Sequence, residues 1–359
     1  MQESLLQLNR LEGLYIEITQ SCNLHCPHCY NRSGDFSNTM AVDQFIKILS
    51  SKKLKDNKIK ISVSGGEPLC HPKIEQILQY LLENKTDATI ITNGTLAQKK
   101  LLPYLLKSNG SMKVQVSLDG ACEKTNSKIR GEGHFYKVLE FLKAAQRQGY
   151  TGSNVRMTLT KYNKDEIKDF FLLCMKFDAV PGFGFVTKSG YASDHWEKLR
   201  LDERQKASIY SQIHLLYQYY HDYLAKHKQG NLQFSPTKGC ELLKTNTNYY
   251  PLVKYNGDIH PCQLLYSPSY TIGNLFVEDI SYVLSLQNPR LVLLQKYLQL
   301  RLDLLRNGMC RGCVASAFCT GGCPAMALDY GDILNGDGGC ISRKNHLLVM
   351  QTQYLHKNN

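Results

Sequence analysis

From Leu14 to about Val186 the chain alternates short apolar runs with longer amphipathic ones, and this regular alternation limits the possible folds more than any other feature. The strand-like runs are Tyr15 to Ile18, Ile59 to Val63, Thr89 to Ile91, Val114 to Leu118, Val155 to Leu159 and Phe183 to Val186,. Helical patterns lie between them: Val42 to Leu49; Pro72 to Leu82, with the proline in its first turn; Val138 to Gln148, closed by Gly149; and Asp165 to Phe177, with Asn163 as its cap,. Repeated strand–helix units of this kind predict an α/β fold with a parallel sheet, closed or partly closed. Its active site would lie at the C-terminal ends of the strands.

Past Tyr191 the pattern changes. A charged, tyrosine-rich helix over roughly 202–228 reads as a bridge, and Ser235 to Cys340 is irregular and rich in Gly, Pro and Cys. Small modules look like this when metal rather than a core holds them together. The expected division is a core over 1–200, a helical bridge over 201–234, a cysteine-rich module over 235–345 and a tail over 346–359, with the main boundary near residue 230. The opening MQESLLQLNR has no apolar signal-peptide region, which points to the cytoplasm,. Leu291 to Leu305 is broken by Lys296, Arg301 and Asp303, so no membrane span is expected,. The formal charge of +12 fits nucleic acid, an acidic partner or compensation for something anionic held inside. No basic run or nucleic-acid motif accompanies it, so nucleic acid is set aside.

In a reducing compartment the 13 cysteines point to metal rather than disulfides. Cys22, Cys26 and Cys29 form CxxxCxxC directly after the first strand, which places their loop at the mouth of the sheet. Three thiolates suit zinc or an iron–sulfur cube. Structural zinc wants a fourth ligand, which His25 or His28 could supply; a cube on three cysteines leaves one iron open. SGGEPL follows the second strand on the same face: Gly65 and Gly66 would let the backbone approach a ligand, and Glu67 offers a carboxylate,.

CxxxCxxC ending strand one and GGEP ending strand two resemble the radical S-adenosylmethionine (SAM) family. The resemblance continues through VSLDG (116–120), IRGEGHF (129–135) and VRMTLTKYN (155–163). It implies a partial (β/α)6 radical SAM barrel whose cube binds SAM through its open iron and yields a 5′-deoxyadenosyl radical. It also implies that Glu67 pairs with the SAM ammonium, Ser117 and Arg130 hold the carboxylate, and His28 lies against the adenine. Similar chains carry a His-Asp pair shortly before Arg-Gly. Asn126 and Ser127 stand there instead, so no acid/base role is assigned to them.

Cys310, Cys313, Cys319 and Cys323, then Cys340, with Cys240 and Gly257 ahead of Cys262, resemble the SPASM extension of radical SAM enzymes. The resemblance implies two auxiliary [4Fe–4S] clusters, one on Cys310, Cys313, Cys319 and Cys340 and the other on Cys240, Cys262 and Cys323, whose fourth ligand is open. Three such clusters would remove roughly four positive charges. Auxiliary clusters suit a net oxidation, because the substrate radical must lose a second electron.

Enzymes similar to this one modify ribosomally made peptides or oxidise small alcohols. The expected reaction is therefore an oxidative peptide crosslink, with epimerisation or alcohol oxidation as alternatives. An acidic leader peptide would suit the basic chain, although few residues precede strand one for a leader-binding domain. Flavodoxin or ferredoxin is the implied electron donor. Sulfatase-maturing relatives carry aspartate where Gln263 stands, which argues against that activity. Cys70 and Cys122 follow strand-end motifs and are weak candidates for a hydrogen-atom donor, whereas Cys174 reads as core. Tyr210, Tyr217, Tyr220 and Tyr223 recur at helical spacing and read as packing.

Overall fold

The computed structural model describes residues 10–56, 58–226, 240, 248–316 and 319–345. Its strands are β1 (Arg10–Leu11), β2 (Gly13–Glu17), β3 (Lys60–Ser64), β4 (Ala88–Thr92), β5 (Met112–Ser117), β6 (Ser153–Leu159), β7 (Val180–Phe185), β8 (Asn248–Tyr249), β9 (Leu252–Val253), β10 (Asp258–His260) and β11 (Gly273–Asn274). Strands β2 to β7 pair in sequence order and are all parallel. Helices cross between them, giving the expected partial barrel.

The crossovers follow from the apolar spacing. In Ile74–Glu83 the buried residues are Ile74, Ile77, Leu78 and Leu81, and in His134–Arg147 they include Val138, Phe141, Leu142 and Ala145. Positions i, i+3, i+4 and i+7 make one stripe. Burying a large apolar side chain is worth about 1.5–3 kcal/mol, so the stripe fixes which face meets the sheet. Helix Val42–Leu49 matches its expected bounds.

Three local expectations are corrected. Pro72 precedes its helix, which begins at Ile74 after the tight turn Pro68–Cys70. Asn163 does not cap the next helix, which spans Ile167–Lys176 with Glu166 at the cap position. Instead its side chain accepts from Thr160 N (2.8 Å) and donates to Asp119 O (3.0 Å) and Thr158 O (2.9 Å), lashing the ends of β5 and β6 together. Strand β7 begins before Phe183 because Pro181 and Gly182, which read as strand breakers, are tolerated at the edge of the sheet,.

The larger correction concerns what holds the C-terminal region. Strand β9 pairs parallel with β2, and β10 and β11 continue antiparallel, so the sheet has 9 strands in the order β11-β10-β9-β2-β3-β4-β5-β6-β7. Val253, Ile259, Ile272, Val283, Leu291 and Leu298 are buried in the same core as the barrel. Residues 252–298 are thus held by apolar packing; only the stretch around the last cysteines is poor in it. Helix Glu203–Tyr219 and its continuation His221–Lys226 also dock rather than bridge. Tyr217 donates to Pro181 O (2.9 Å), Tyr223 donates to Ala179 O (3.1 Å), and Tyr220 stacks on Phe171. These tyrosines are packing, as expected. The remainder of the bridge, the proposed boundary near residue 230 and the tail over 346–359 lie outside the described residues. No described helix is long and apolar enough to cross a membrane.

Candidate active site

The cysteine loop leaves β2 and is pinned by backbone bonds: Cys22 N donates to Gly34 O (2.8 Å) and Ile18 N donates to Ser64 O (2.9 Å). Gly66 N and Glu67 N donate to Thr19 O (2.7 Å) and Ser21 O (2.8 Å). A Cβ on Gly65 would stand 2.4 Å from Thr19 O, and one on Gly66 would stand 2.4 Å from Ser21 O. The two glycines, expected to bring backbone up to a ligand, bring it up to the cysteine loop. Gly190 does the same from the far side, where a Cβ would meet Cys29 O at 2.3 Å.

Glu67 has no exposure. Its Oε1 accepts from Leu69 N (3.0 Å) and Thr92 Oγ1 (2.7 Å), and its Oε2 accepts from Asn93 N (2.6 Å). Burial raises its pKa, and the Asn93, Thr92 and Leu69 donors oppose the rise. The carboxylate therefore clamps the ends of β3 and β4; a bound ammonium would share Oε2 with the Asn93 amide.

From Asn93 the network runs on. Its side chain donates to Asn23 Oδ1 (2.9 Å) inside the cysteine loop, and its carbonyl accepts from His134 Nε2 (2.8 Å). Asn126 Nδ2 donates to His134 Nδ1 (3.0 Å), while Asn126 Oδ1 accepts from Asp119 N (2.9 Å). His134 is thus neutral and carries its proton on Nε2; burial, helped by Arg130, drives its pKa down to about 4. Asn126 donates through one side-chain atom and accepts through the other, so it serves as a strut between His134 and Asp119.

Asp119, also without exposure, is the electrostatic centre. Its Oδ2 lies 2.6 Å from Arg130 Nε and 2.9 Å from His28 Nε2, and its Oδ1 accepts from Thr158 N (2.7 Å). Burial pushes this carboxyl up, but Arg130 and His28 outweigh burial and hold it well below the usual carboxylate range. Burial likewise works against the Arg130 charge, and Asp119 more than restores it. Of the residues expected to hold SAM, His28, Glu67 and Arg130 are joined through this network to the cysteine loop, and Ser117 ends β5, half-buried.

Burial pushes the Cys22 thiol up to about 12 and the Cys26 thiol to about 11. Ionising them in so dry a place requires a cation, which a metal centre supplies. His28 Nδ1 and Ser33 Oγ are buried without a hydrogen-bond partner beside the same loop. Among the described residues no three His, Cys, Asp or Glu side chains converge to hold a single metal ion. Buried thiols spaced around a loop, with unsatisfied polar atoms next to them, fit a cluster and a polar ligand. Cys70 sits against this site, its Sγ 3.7 Å from Asn23 Oδ1; Cys122 is exposed and turns toward Glu166 Oε1 at 3.9 Å. Cys174 is core.

In the C-terminal region Cys310, Cys313, Cys319 and Cys340 line one pocket together with Leu302, Leu305 and Arg343. Arg343 reaches toward Cys340 Sγ at 3.8 Å and forms a buried ion pair with Asp337, which accepts from Cys323 N (2.8 Å). The Cys323 thiol is pushed up to about 12 by burial, with Cys262 adding to the rise. Cys240 N donates to Thr320 Oγ1 (3.0 Å). Gly257 supplies the positive φ of the turn joining β9 to β10.

The sequence reading missed Asn93, Asp119 and His134. An acid directly after β5 was the available signal for Asp119, and His134 stood inside a quoted motif. Nothing local marked Asn93.

Residues 16–174 match the Radical SAM superfamily. The chain carries a radical SAM domain. It is 24% identical over 337 residues to the mycofactocin maturase MftC of Mycolicibacterium smegmatis, an alignment covering 90% of this chain and 81% of that protein. It is 31% identical over 156 residues to the subtilosin biosynthesis protein AlbA of Bacillus subtilis, covering 43% of this chain and 34% of AlbA. Among solved structures, Streptococcus suis SuiB bound to S-adenosylmethionine superposes with a TM-score of 0.69 at 21% identity, over 93% of this chain and 77% of that one. The structure of anSMEcpe with AdoMet and a peptide gives 0.72 at 16%, over 97% and 98%. These likenesses show the fold.

Proposed function

We propose that this protein cleaves SAM reductively and uses the resulting radical to oxidise a ribosomally made peptide, forming a crosslink. The observation that carries the reading is that the loop of Cys22, Cys26 and Cys29 is tied to the Glu67–Asn93–His134–Asn126–Asp119–Arg130 network at the C-terminal end of the parallel sheet. These three cysteines would hold a [4Fe–4S] centre, which with SAM bound would supply a 5′-deoxyadenosyl radical when reduced. The chain's own part is to hold and orient. Arg130, kept charged by Asp119, and Ser117 offer a cation and a hydroxyl for a carboxylate; Glu67 offers Oε2 for an ammonium; and His28 offers its unpartnered Nδ1.

Two auxiliary clusters, on Cys310, Cys313, Cys319 and Cys340 and on Cys240, Cys262 and Cys323, would take the second electron. The pocket lined by four cysteines supports the first set, and the mutual effect of Cys262 and Cys323 supports the second. The peptide substrate rests on the relatives, since MftC is a maturase and SuiB has been seen with its precursor peptide. A cytoplasmic location, a ferredoxin or flavodoxin donor and an acidic leader accompany this reading. Epimerisation has one observation in its favour, the Cys70 thiol beside the cysteine loop. The test is to incubate the reduced, reconstituted protein with SAM and short peptides encoded beside its gene, in deuterated water. A peptide lighter by two hydrogens supports crosslinking. A peptide heavier by one mass unit, from a deuterium fixed on carbon, supports epimerisation instead, and an untouched peptide refutes both.

A further inference from the structure

Arg301 heads the fully buried side chains by volume among the described residues, with 0% exposure. Its guanidinium donates to Ile333 O (2.6 Å), Thr320 O (3.3 Å), Gly321 O (2.7 Å) and Asn335 O (2.9 Å). Among the described residues no carboxylate lies within ion-pair distance of it, and the nearby Asp337 is engaged by Arg343. Four neutral carbonyls solvate the cation but do not neutralise it, and an uncompensated buried charge is strongly unfavourable. Besides Asp337, the groups whose negative charge it would feel are Cys240 and Cys323. As free thiols they would carry no charge. As thiolates on a metal centre they are the missing counter-charge.

The geometry adds a second role. Thr320 and Gly321, held by Arg301, lie between Cys319 and Cys323, and Thr320 Oγ1 accepts from Cys240 N at 3.0 Å. Ile333 and Asn335 lead toward Cys340. One side chain therefore ties together loops from both C-terminal cysteine sets.

We propose that Arg301 is the positioning residue and counter-cation of the auxiliary centre held by Cys240, Cys262 and Cys323, and that its charge favours the reduced state of that centre. This rests on the reading above that these cysteines share a cluster.

The test uses the full chain carrying Cys22→Ala, Cys26→Ala and Cys29→Ala, so that only auxiliary centres take up iron. Iron content and midpoint potential are read by anaerobic reconstitution and EPR-monitored titration. Arg301→Met is expected to lose one cluster's worth of iron or, where it keeps the iron, to make reduction of that centre about tenfold harder, about 59 mV more negative for one electron. Arg301→Lys keeps the charge but not the planar fork; it is expected to lose iron while the centre it retains stays at the parent potential. Should Arg301→Met fail to fold, Arg301→Lys carries the test alone. Full iron with the parent potential in Arg301→Met, or full iron with a shifted potential in Arg301→Lys, overturns the proposal. A background protein that takes up no iron at all removes the auxiliary-cluster reading itself, which is a separate result.

Discussion

Asp119→Asn isolates the electrostatic centre of the site. Asparagine keeps the shape and the acceptor for Thr158 N but removes the charge that faces Arg130. The Arg130 side chain is 10% exposed and that of Asp119 0%, so the guanidinium would be stranded in a dry pocket. Breaking a buried pair from one side costs about 3–5 kcal/mol, and a chain of 359 residues loses about 1.3 °C of Tm per kcal/mol. A fall of roughly 4–7 °C follows, measured by circular dichroism at pH 7 on parent and variant with matched iron. Asp119→Asn combined with Arg130→Met should regain at least half the loss, because neither charge then remains. The pH dependence has a definite sign. The Asp119 carboxyl lies lower in the folded protein than in the unfolded chain, so its stabilisation is complete above the ordinary aspartate range, about pH 4, and is lost as pH falls below it. The variant should lack that loss. A single variant within about 1 kcal/mol of the parent, or a double variant no better than the single, would refute the reasoning.

Gly66→Ala should cost about 1–3 kcal/mol by overpacking and lower iron retention, because the new methyl meets Ser21 O and Gln20 O at 2.4 and 2.6 Å; thermal melts and iron analysis check both. His134, held near a pKa of about 4 by burial against about 6.5 in an unfolded chain, is neutral in the fold while the unfolded chain takes up a proton. The parent should therefore lose up to about 3 kcal/mol as pH falls from 6.5 toward 4. Urea midpoints across that range should fall less steeply in His134→Gln.

The barrel was legible because each of its crossover helices carries an apolar stripe and each inner strand is β-branched and buried. Both signals are local. Val42–Leu49 came out to the residue for that reason, and Pro181 and Gly182 misled because only the topology says that β7 is an edge. The cysteine clusters were legible from spacing, and the proposed grouping of the C-terminal ones comes from the resemblance. The wiring between strand ends was not. Asn93 and Asn163 look like ordinary turn residues, and their roles arise where segments dozens of residues apart meet. Gly65 and Gly66 were noticed for the right property, close approach, but the backbone they admit is the chain's own. Strand β9 is two residues long, too short for any periodicity, yet it extends the sheet beside β2 and merges the C-terminal region into the core.

The account stands on Cys22, Cys26 and Cys29 holding a centre with one vacant metal position for SAM. The direct measurement is 5′-deoxyadenosine formed by anaerobically reconstituted protein given SAM and dithionite, set against the Cys22→Ala, Cys26→Ala, Cys29→Ala variant. The account predicts SAM-dependent deoxyadenosine from the parent and none from the variant. Equal yields from both, or a parent that holds only zinc and leaves SAM intact, would contradict it.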